Sequence, residues 1–246
     1  MLDYDENDPI RQVKVAVRDP NALKISILKK EHIAGASEIF TRSFCDGEPL
    51  TKFLGVSYDE FRPLATKVAT KAAADKLSVV AIDKSGRVVG CVIAEDTHDP
   101  IKMSEFGFMK PIYKFLETLS KPFTEMQFKQ GSVIHIWVTA VADDVKGTGL
   151  STMLNNACVS LALQNGFSYV FAEFTSEINE KHMNRFPDNM RSDMRFKDFV
   201  LNGEKPFSSL EGTACSYICS AAPYISLKDI EDCLLRPNTI VNLKLK

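Results

Sequence analysis

The sequence predicts an α/β domain of the α+β kind, in which a sheet is flanked by helices. The run Val133–Val141 is apolar and rich in β-branched residues, which is typical of a strand buried on both faces of a sheet. A turn with two glycines follows it. Apolar residues then recur at three- and four-residue spacing over residues 150–161, which indicates a helix packed on that sheet. Shorter strand and helix patterns alternate on both sides of this central unit.

Upstream of the central unit, changes of hydrophobic period divide the chain into elements. Residues 1–21 are charged and contain two prolines, so we expect a peripheral arm, in which alternating valines allow an edge strand. The predicted elements are then a strand at 23–27, a helix from residue 31, a helix at 58–75, and a hairpin of strands at 77–83 and 87–95. Residues 97–131 hold one short predicted helix at 111–120, and this segment either lines an acceptor site or is a surface excursion.

Downstream of the central unit, Asn165-Gly166 ends the long helix and a buried strand is predicted at 169–174. A short helix starts near Ser176, which is a suitable N-cap. The patterns at 196–201 and 215–221 predict a final pair of strands. We therefore expect an arm at 1–21, one domain at 22–222, and a C-terminal extension at 223–246 packed on that domain.

Composition excludes several classes of partner. The chain has 246 residues, enough for a substantial core, and its net charge of −2 gives no reason to expect nucleic acid or a membrane. No apolar run is long enough to span a bilayer, and the acidic N-terminus is unlike a signal peptide. The six cysteines are scattered and mostly lie in apolar runs, so we expect reduced residues in a cytoplasmic protein. Cysteine and histidine spacing supports neither a metal site nor histidine-based catalysis.

The turn after the central strand, Lys146-Gly147-Thr148-Gly149-Leu150-Ser151, is the first candidate site. Glycines at the start of a helix allow the backbone to approach a bound group, and the free N–H groups and the helix dipole favour negative charge there. The pattern predicts a phosphate-binding loop, and the alternative is a tight turn without a ligand. It matches neither a Walker A loop nor Gly-x-Gly-x-x-Gly, because position 152 is Thr.

The second candidate site is Glu48, which lies between Gly47 and Pro49. Proline disfavours helical geometry in the residue before it and glycine weakens the helix that precedes it, so we expect a bend between two helical segments. A carboxylate on a fixed bend can be directed at a substrate. The alternative is an ordinary solvated turn, since Asp, Gly and Pro are common in turns for conformational reasons.

The glycine-containing turn resembles the acetyl-CoA loop of the GNAT superfamily of N-acetyltransferases. That loop has the pattern (Arg or Gln)-x-x-Gly-x-(Gly or Ala), and it lies between a strand and the start of a helix. Lys146, Gly149 and Ser151 occupy the defining positions, and Lys and Ser depart from the pattern. The resemblance implies the GNAT fold, whose central sheet is mixed, mostly antiparallel and twisted, with acetyl-CoA as co-substrate and no metal.

The same resemblance implies which residues bind the coenzyme. The strand backbone at 139–141 would contact pantetheine and polarise the thioester carbonyl, the loop would hold the diphosphate, and an Asn of the following helix would contact the pantetheine arm. The implied residues are Thr139, Ala140, Val141, Lys146, Gly147, Thr148, Gly149, Leu150, Ser151 and Asn179.

Residues 44–54, Phe-Cys-Asp-Gly-Glu-Pro-Leu-Thr-Lys-Phe-Leu, resemble the Phe-x-Asp-Glu-Pro-Leu-Asn-x-x-Leu segment of the insect-type arylalkylamine (dopamine) N-acetyltransferases, a GNAT branch. In that branch the Glu before Pro-Leu is the catalytic base, which assigns that role to Glu48. Hydroxyl residues on the short helix after the strand at 169–174 are also implicated; these positions fall near Thr175 and Asn179, of which only Thr175 keeps a hydroxyl. Ser176 is a second candidate beside it. Tyr217 is a further candidate for a general acid.

The resulting hypothesis is an acetyl-CoA-dependent N-acetyltransferase that acts on a primary amine of a small, arylalkylamine-like molecule by direct attack in a ternary complex. An alkylammonium has a pKa of about 10, so a base such as Glu48 is needed to produce the attacking free amine. The alternatives are a GNAT enzyme for a polyamine, an aminoglycoside or a protein amine, and a non-catalytic acyl-CoA-binding module. We expect a monomer or a homodimer.

Overall fold

The computed structural model describes residues 23–102, 106–126, 128–176 and 189–221. Within these ranges the chain forms a seven-stranded sheet with helices on both faces. The expected N-terminal arm, the expected C-terminal extension and residues 177–188 lie outside the described residues. In the part of the chain that the structure describes, no helix is both long enough and apolar enough to cross a membrane.

The sheet is mixed and mostly antiparallel. Its strands are β1 (Leu23–Ile27), β2 (Val79–Asp83), β3 (Val88–Asp96), β4 (Val133–Val141), β5 (Tyr169–Phe174), β6 (Asn189–Arg195) and β7 (Thr213–Ser220). Their order across the sheet is β1-β2-β3-β4-β5-β7-β6. β4 and β5 are parallel, and the other neighbouring pairs are antiparallel. The strand predicted to be central, β4, lies in the middle of the sheet.

Over the described parts of the chain, five α-helices cover the two faces of the sheet. They are α1 (Ile33–Gly47), α2 (Pro49–Phe53), α3 (Tyr58–Asp75), α4 (Lys110–Thr124) and α5 (Leu150–Gln164). α1, α3 and α4 contribute to one core cluster and α5 contributes to a second. Because β4 and β5 are parallel, the chain must cross over between them, and α5 makes that crossover on its own face.

The core between α1, α3 and the sheet is built from aromatic rings. Phe40 of α1 lies 4.6 Å from Phe44, 5.1 Å from Phe61 of α3 and 5.5 Å from Trp137 of β4, each distance between ring centroids. Phe40 and Phe61 are fully buried, and each such side chain contributes roughly 1.5–3 kcal/mol on burial. This cluster fixes the position of α1, and therefore of the bend at its C-terminal end, relative to the middle of β4.

Two predictions about secondary structure need correction. The strand predicted at 196–201 is wrong: the partner of β7 is β6, and Phe196–Asp198 is a 3-10 turn instead. β6 is an edge strand with the polar sequence Asn-Met-Arg-Ser-Asp-Met-Arg, so it carries little of the hydrophobic signal on which the prediction depended. The short helix predicted at 111–120 is longer, because Pro122 lies in the last turn of α4 and does not end the helix before it.

We expect Gly35→Ala to destabilise the protein by about 1–3 kcal/mol, although alanine is normally the better helix former. A Cβ at position 35 would lie 2.8 Å from Cβ of Val88, which belongs to the sheet. Chemical denaturation measures the effect, with Gly47→Ala in the same helix as control because no atom lies within 4 Å of its added Cβ. Equal stability of the two variants would contradict the close packing of α1 on β3.

Candidate active site

The central feature of the site is the separation of β4 from β5. Their pairing runs from Val133↔Tyr169 to Ile136↔Ala172 and ends there. β4 continues for five residues to Val141, and β5 continues for two residues to Phe174. Backbone groups of residues 137–141 that point towards β5 therefore have no β5 partner. Since backbone N–H and C=O groups need hydrogen-bond partners, this edge suits an extended ligand that carries amide groups.

A β-bulge accompanies the separation of the strands. β3 pairs with β4 at Ile93↔Val138 and next at Ala94↔Ile136, so Trp137 is the extra residue on β4. The bulge reverses the alternation of side chains along the strand. After it, Val138 and Ala140 lie in the α1 core, while Thr139 turns to the α5 face and donates a hydrogen bond from Oγ1 to Asn155 Oδ1 at 2.9 Å.

The glycine-containing loop joins the end of β4 to α5, as predicted. Gly147 and Gly149 have φ values of 75° and 80°, in the left-handed region that favours glycine, and Gly149 is the N-cap of α5. The first helical hydrogen bond runs from the Met153 N–H to the Gly149 carbonyl at 3.2 Å. The N–H groups of residues 150–152 therefore have no acceptor within the helix and are available to an anion.

The cations beside this loop are already paired with carboxylates. Lys146 Nζ lies 2.5 Å from Asp143 Oδ1, and both side chains are largely exposed. Arg87 contacts Asp144 at 2.5 Å and Asp83 at 3.0 Å, and the hydrogen bond to Asp144 raises the pKa of Arg87. A bound diphosphate would compete with these carboxylates for the cations. The loop therefore offers an anion mainly its backbone N–H groups.

Glu48 lies on the predicted bend between α1 and α2. Its backbone is extended, with φ −77° and ψ 122°, and it is the N-cap of α2. Its Oε1 accepts a hydrogen bond from the Leu50 N–H at 3.0 Å and its Oε2 accepts one from the Thr51 N–H at 2.6 Å. The residue is partly exposed. The carboxylate is thus held in one orientation, and each oxygen keeps a lone pair for a further donor.

Two neighbours of Glu48 have unusual environments. Thr51 is fully buried, and its Oγ1 is the buried side-chain polar atom without a hydrogen-bond partner among the described residues. Cys45 is partly buried; desolvation, Asp46 and Glu60 raise the pKa of its thiol to about 11. The thiol is therefore protonated at neutral pH and is not suited to be a nucleophile.

A surface groove of about 300 Å³ lies beyond the C-terminal end of α2. It is lined by Leu54, Gly55, Val56, Glu60, Gly107, Phe108 and Pro111. The groove joins the end of α2 to the segment that precedes α4, so part of the 97–131 region lines a concave surface. Of the described lining residues, Leu54, Val56, Phe108 and Pro111 are apolar, and Glu60 carries a carboxylate.

The other predicted site residues are only partly placed. Thr175 and Ser176 directly follow β5, on its continuation past the point where β4 separates, and both are half-buried. Asn179 lies outside the described residues. Tyr217 is buried in β7, pairs with Ala172 in register, and accepts a hydrogen bond from Arg191.

Sequence patterns missed a buried polar cluster at the base of the separation. His135 contacts Glu95 and Glu173, which come from three different strands. The available signal was a charged or titratable residue within each of three otherwise apolar strand patterns. No histidine spacing of a known motif marks it, so the sequence interpretation assigned His135 no role.

The comparisons with known proteins support the fold. No family model matches the chain, and no curated protein matches its sequence. The C-terminal condensation domain of Ebony, solved in complex with β-alanyl-dopamine, superposes with a TM-score of 0.74 at 17% identity, covering 80% of this chain and 98% of that one. Arylalkylamine N-acetyltransferase 2 from Aedes aegypti gives 0.64 at 17% identity, with 81% and 99% covered.

A further neighbour is the Drosophila melanogaster polyamine N-acetyltransferase, which catalyses the formation of N-acetylagmatine. Its TM-score is 0.64 at 14% identity, and 80% of this chain and 99% of that one are covered. With the seven-stranded mixed sheet and its flanking helices, these likenesses show that the chain has the GNAT fold. The fold implied by the glycine loop is confirmed.

We expect the Cys45 thiol to react slowly with iodoacetamide, because the thiolate is the reactive form and its pKa is raised to about 11. Peptide mapping of the alkylation rate against pH should show the rate still rising above pH 9. A midpoint near 8.5, the value of a free cysteine, would contradict the described environment.

Proposed function

We propose that this protein is an N-acetyltransferase that transfers the acetyl group of acetyl-CoA to the primary amine of a small, arylalkylamine-like molecule. The observation that carries the proposal is the separation of β4 from β5 next to a glycine loop that opens α5. In this arrangement the free backbone edge of β4 is followed by the N-terminus of α5, which favours an anion. Coenzyme A has the corresponding groups in the same order, since its pantetheine arm carries amides and is followed by a diphosphate.

In this proposal the coenzyme is held mainly by backbone groups. Residues 139–141 present the β4 edge to pantetheine, and residues 146–151 surround the diphosphate. The left-handed glycines and the unpaired N–H groups at the start of α5 support this assignment. A backbone N–H near the bulge would polarise the thioester carbonyl. Asn179 stays a predicted contact of the pantetheine arm.

Glu48 is the proposed base. Alkylammonium groups are almost fully protonated at neutral pH, so the attacking amine must first lose a proton. The two N–H groups at the start of α2 fix the carboxylate, and a free lone pair on either oxygen accepts the proton directly or through a water molecule. The Phe40–Trp137 contact supports the placement, because it docks α1 on the bulge and Glu48 follows Phe40 by roughly 12 Å of helix.

The leaving thiolate needs less assistance than the amine. A thiol has a pKa of about 8.5, so a general acid accelerates its departure without being indispensable. Thr175 and Ser176 are the proposed hydroxyl residues, since they continue β5 beyond the last rung shared with β4. Tyr217 is less suited to this role, because its hydroxyl is buried and bound to Arg191.

The groove supports an acceptor with an apolar body. Leu54, Val56, Phe108 and Pro111 supply apolar walls, and among the residues that the structure describes Glu60 is the one carboxylate in the lining, whereas a polycationic acceptor would be better matched by several carboxylates. Structural neighbours include enzymes named for arylalkylamines, polyamines and agmatine, so an amine panel has to cover all of these classes.

A second candidate is an acyltransferase of the same acceptors with a larger acyl group. The 0.74 superposition on a condensation domain bound to β-alanyl-dopamine favours it, because that ligand is an arylalkylamine acylated with β-alanine. Acetyl-, propionyl- and β-alanyl-CoA therefore belong in the same assay. Coenzyme binding without thiol release for any donor and amine would instead support a non-catalytic acyl-CoA-binding module.

We expect Glu48→Gln to lower turnover at least tenfold, about 1.4 kcal/mol of transition-state stabilisation, because the amide cannot accept the amine proton. Thiol release from acetyl-CoA against the amine panel measures turnover, and calorimetry should show coenzyme affinity retained. Glu38→Gln is the control, an exposed carboxylate of α1 that is paired with Arg42. Unchanged turnover in Glu48→Gln would remove Glu48 as the base.

We expect Gly147→Ala to weaken coenzyme A binding about fivefold, because about 1 kcal/mol of left-handed strain turns the loop N–H groups away from the diphosphate. Gly86→Ala is a matched control: φ is 85°, nothing lies within 4 Å of the added Cβ, and the residue lies in the β2–β3 turn. Calorimetric titration with coenzyme A measures the Kd of each variant. The same affinity in both variants would argue against the loop as the diphosphate site.

A further inference from the structure

The buried cluster of His135, Glu95 and Glu173 lies under α4 and takes no part in the proposed chemistry. The ring of His135 lies between two carboxylates: Nδ1 is 3.1 Å from Glu95 Oε1 and Nε2 is 2.6 Å from Glu173 Oε2. The three side chains are only 5–12% exposed. Glu95 belongs to β3, His135 to β4 and Glu173 to β5, so the cluster crosses three adjacent strands.

The remaining carboxylate oxygens are also bound. Glu95 Oε2 accepts a hydrogen bond from the Ile101 N–H at 2.7 Å, and Glu173 Oε1 accepts one from Ser120 Oγ of α4 at 2.9 Å. All four carboxylate oxygens thus have a donor. A buried polar network in which every member is satisfied rigidifies the elements that it joins.

The two carboxylates favour the protonated form of His135. Desolvation lowers its pKa, but Glu173 and Glu95 outweigh that effect and raise the pKa to about 10. Among the residues that the structure describes, those two carboxylates are the charged groups that face the ring, and α4 presents the neutral hydroxyl of Ser120. Both ring nitrogens face carboxylate oxygens, so the protonated ring donates from both and has no lone pair with which to act as a base.

The cluster marks the base of the strand separation. His135 pairs with Phe171 in register, and the next rung, Ile136↔Ala172, is the last one that β4 and β5 share. Glu173 is the first β5 residue past that rung, and the charged hydrogen bond between His135 and Glu173 crosses from β4 to β5 there. Loss of the cation would leave two buried carboxylates on either side of β4, which repel each other and are costly to keep unpaired.

We propose that His135 is a positioning residue: held between Glu95 and Glu173, its ring fixes where β5 leaves β4 and thereby where the acyl thioester lies along the β4 edge. This inference rests on the proposed function. β4 continues for six residues beyond His135, roughly 20 Å of strand, and the glycine loop at 146–151 follows only after its end, so we expect the anchoring of the diphosphate to be independent of His135.

The test compares His135→Gln, the double variant His135→Gln/Glu173→Gln, and the control His98→Gln, an exposed histidine 3.5 Å from Asp96. At a temperature well below unfolding, we expect His135→Gln to lower kcat about tenfold with the Kd of coenzyme A retained. The double variant removes one uncompensated carboxylate, so it should regain part of that loss. If His135→Gln does not fold, the kcat of the double variant is compared with that of the wild type instead.

A pH series separates the charge of His135 from its volume. Because folding raises the pKa of His135, the protonated ring stabilises the fold fully below pH 6.5, and this contribution is lost as pH rises through about 10. The wild-type free energy of unfolding should therefore decline over that window more steeply than that of His135→Gln. Parallel curves would overturn the assignment of a cationic ring.

Two results would overturn the positioning role: an unchanged kcat in His135→Gln, even with a lowered Tm, or a double variant no more active than the single one. If the wild type releases no thiol with any donor and amine, the proposed function fails. In that case amide hydrogen exchange tests the positioning role of His135. Exchange that is faster in His135→Gln than in the wild type only at residues 133–141 and 169–174 would support the role. Exchange that is unchanged, or that rises equally in α3, would overturn it.

Discussion

The structure depends on the place where backbone hydrogen bonding between two parallel strands stops. β4 and β5 share only the rungs from Val133↔Tyr169 to Ile136↔Ala172, although β4 runs on to Val141. Neighbouring strands in the middle of a sheet usually pair along their length, so this separation leaves backbone groups of residues 137–141 without a β5 partner. The extra residue at Trp137 changes the side-chain alternation at the same point, and the ladder to β3 resumes past it.

The elements around the separation hold it open from different directions. α5 packs on one face and begins at the left-handed Gly149, so that its N-terminal N–H groups follow directly from the end of β4. On the other face, the Phe40–Trp137 contact docks α1 at the bulge, and His135 ties β3, β4 and β5 together below it. The glycine loop, the bend that carries Glu48 and the buried His135 are thus all positioned relative to one strand.

In both parts of the proposed site, backbone N–H groups rather than cations face the position of a negative charge. At the glycine loop, the cations are paired with Asp143 and Asp144, so backbone N–H groups remain the main attraction for an anion. Glu48 is likewise oriented by backbone N–H groups rather than by a cation. Each of its oxygens can therefore accept a further hydrogen bond. Helix N-termini occur in both places: α5 begins at the glycine loop and α2 begins at Glu48.

The sequence by itself determined the elements whose signals are local: β4, whose apolar run is buried on both faces; α3, whose apolar residues recur at helical spacing; and the bend at Glu48 before Pro49. It missed the edge strand β6, because a polar edge strand buries little and has weak periodicity. Only the tertiary structure placed Glu95 and Glu173 on either side of His135. Residues some 40 positions apart meet through strand order and register, which no local pattern encodes.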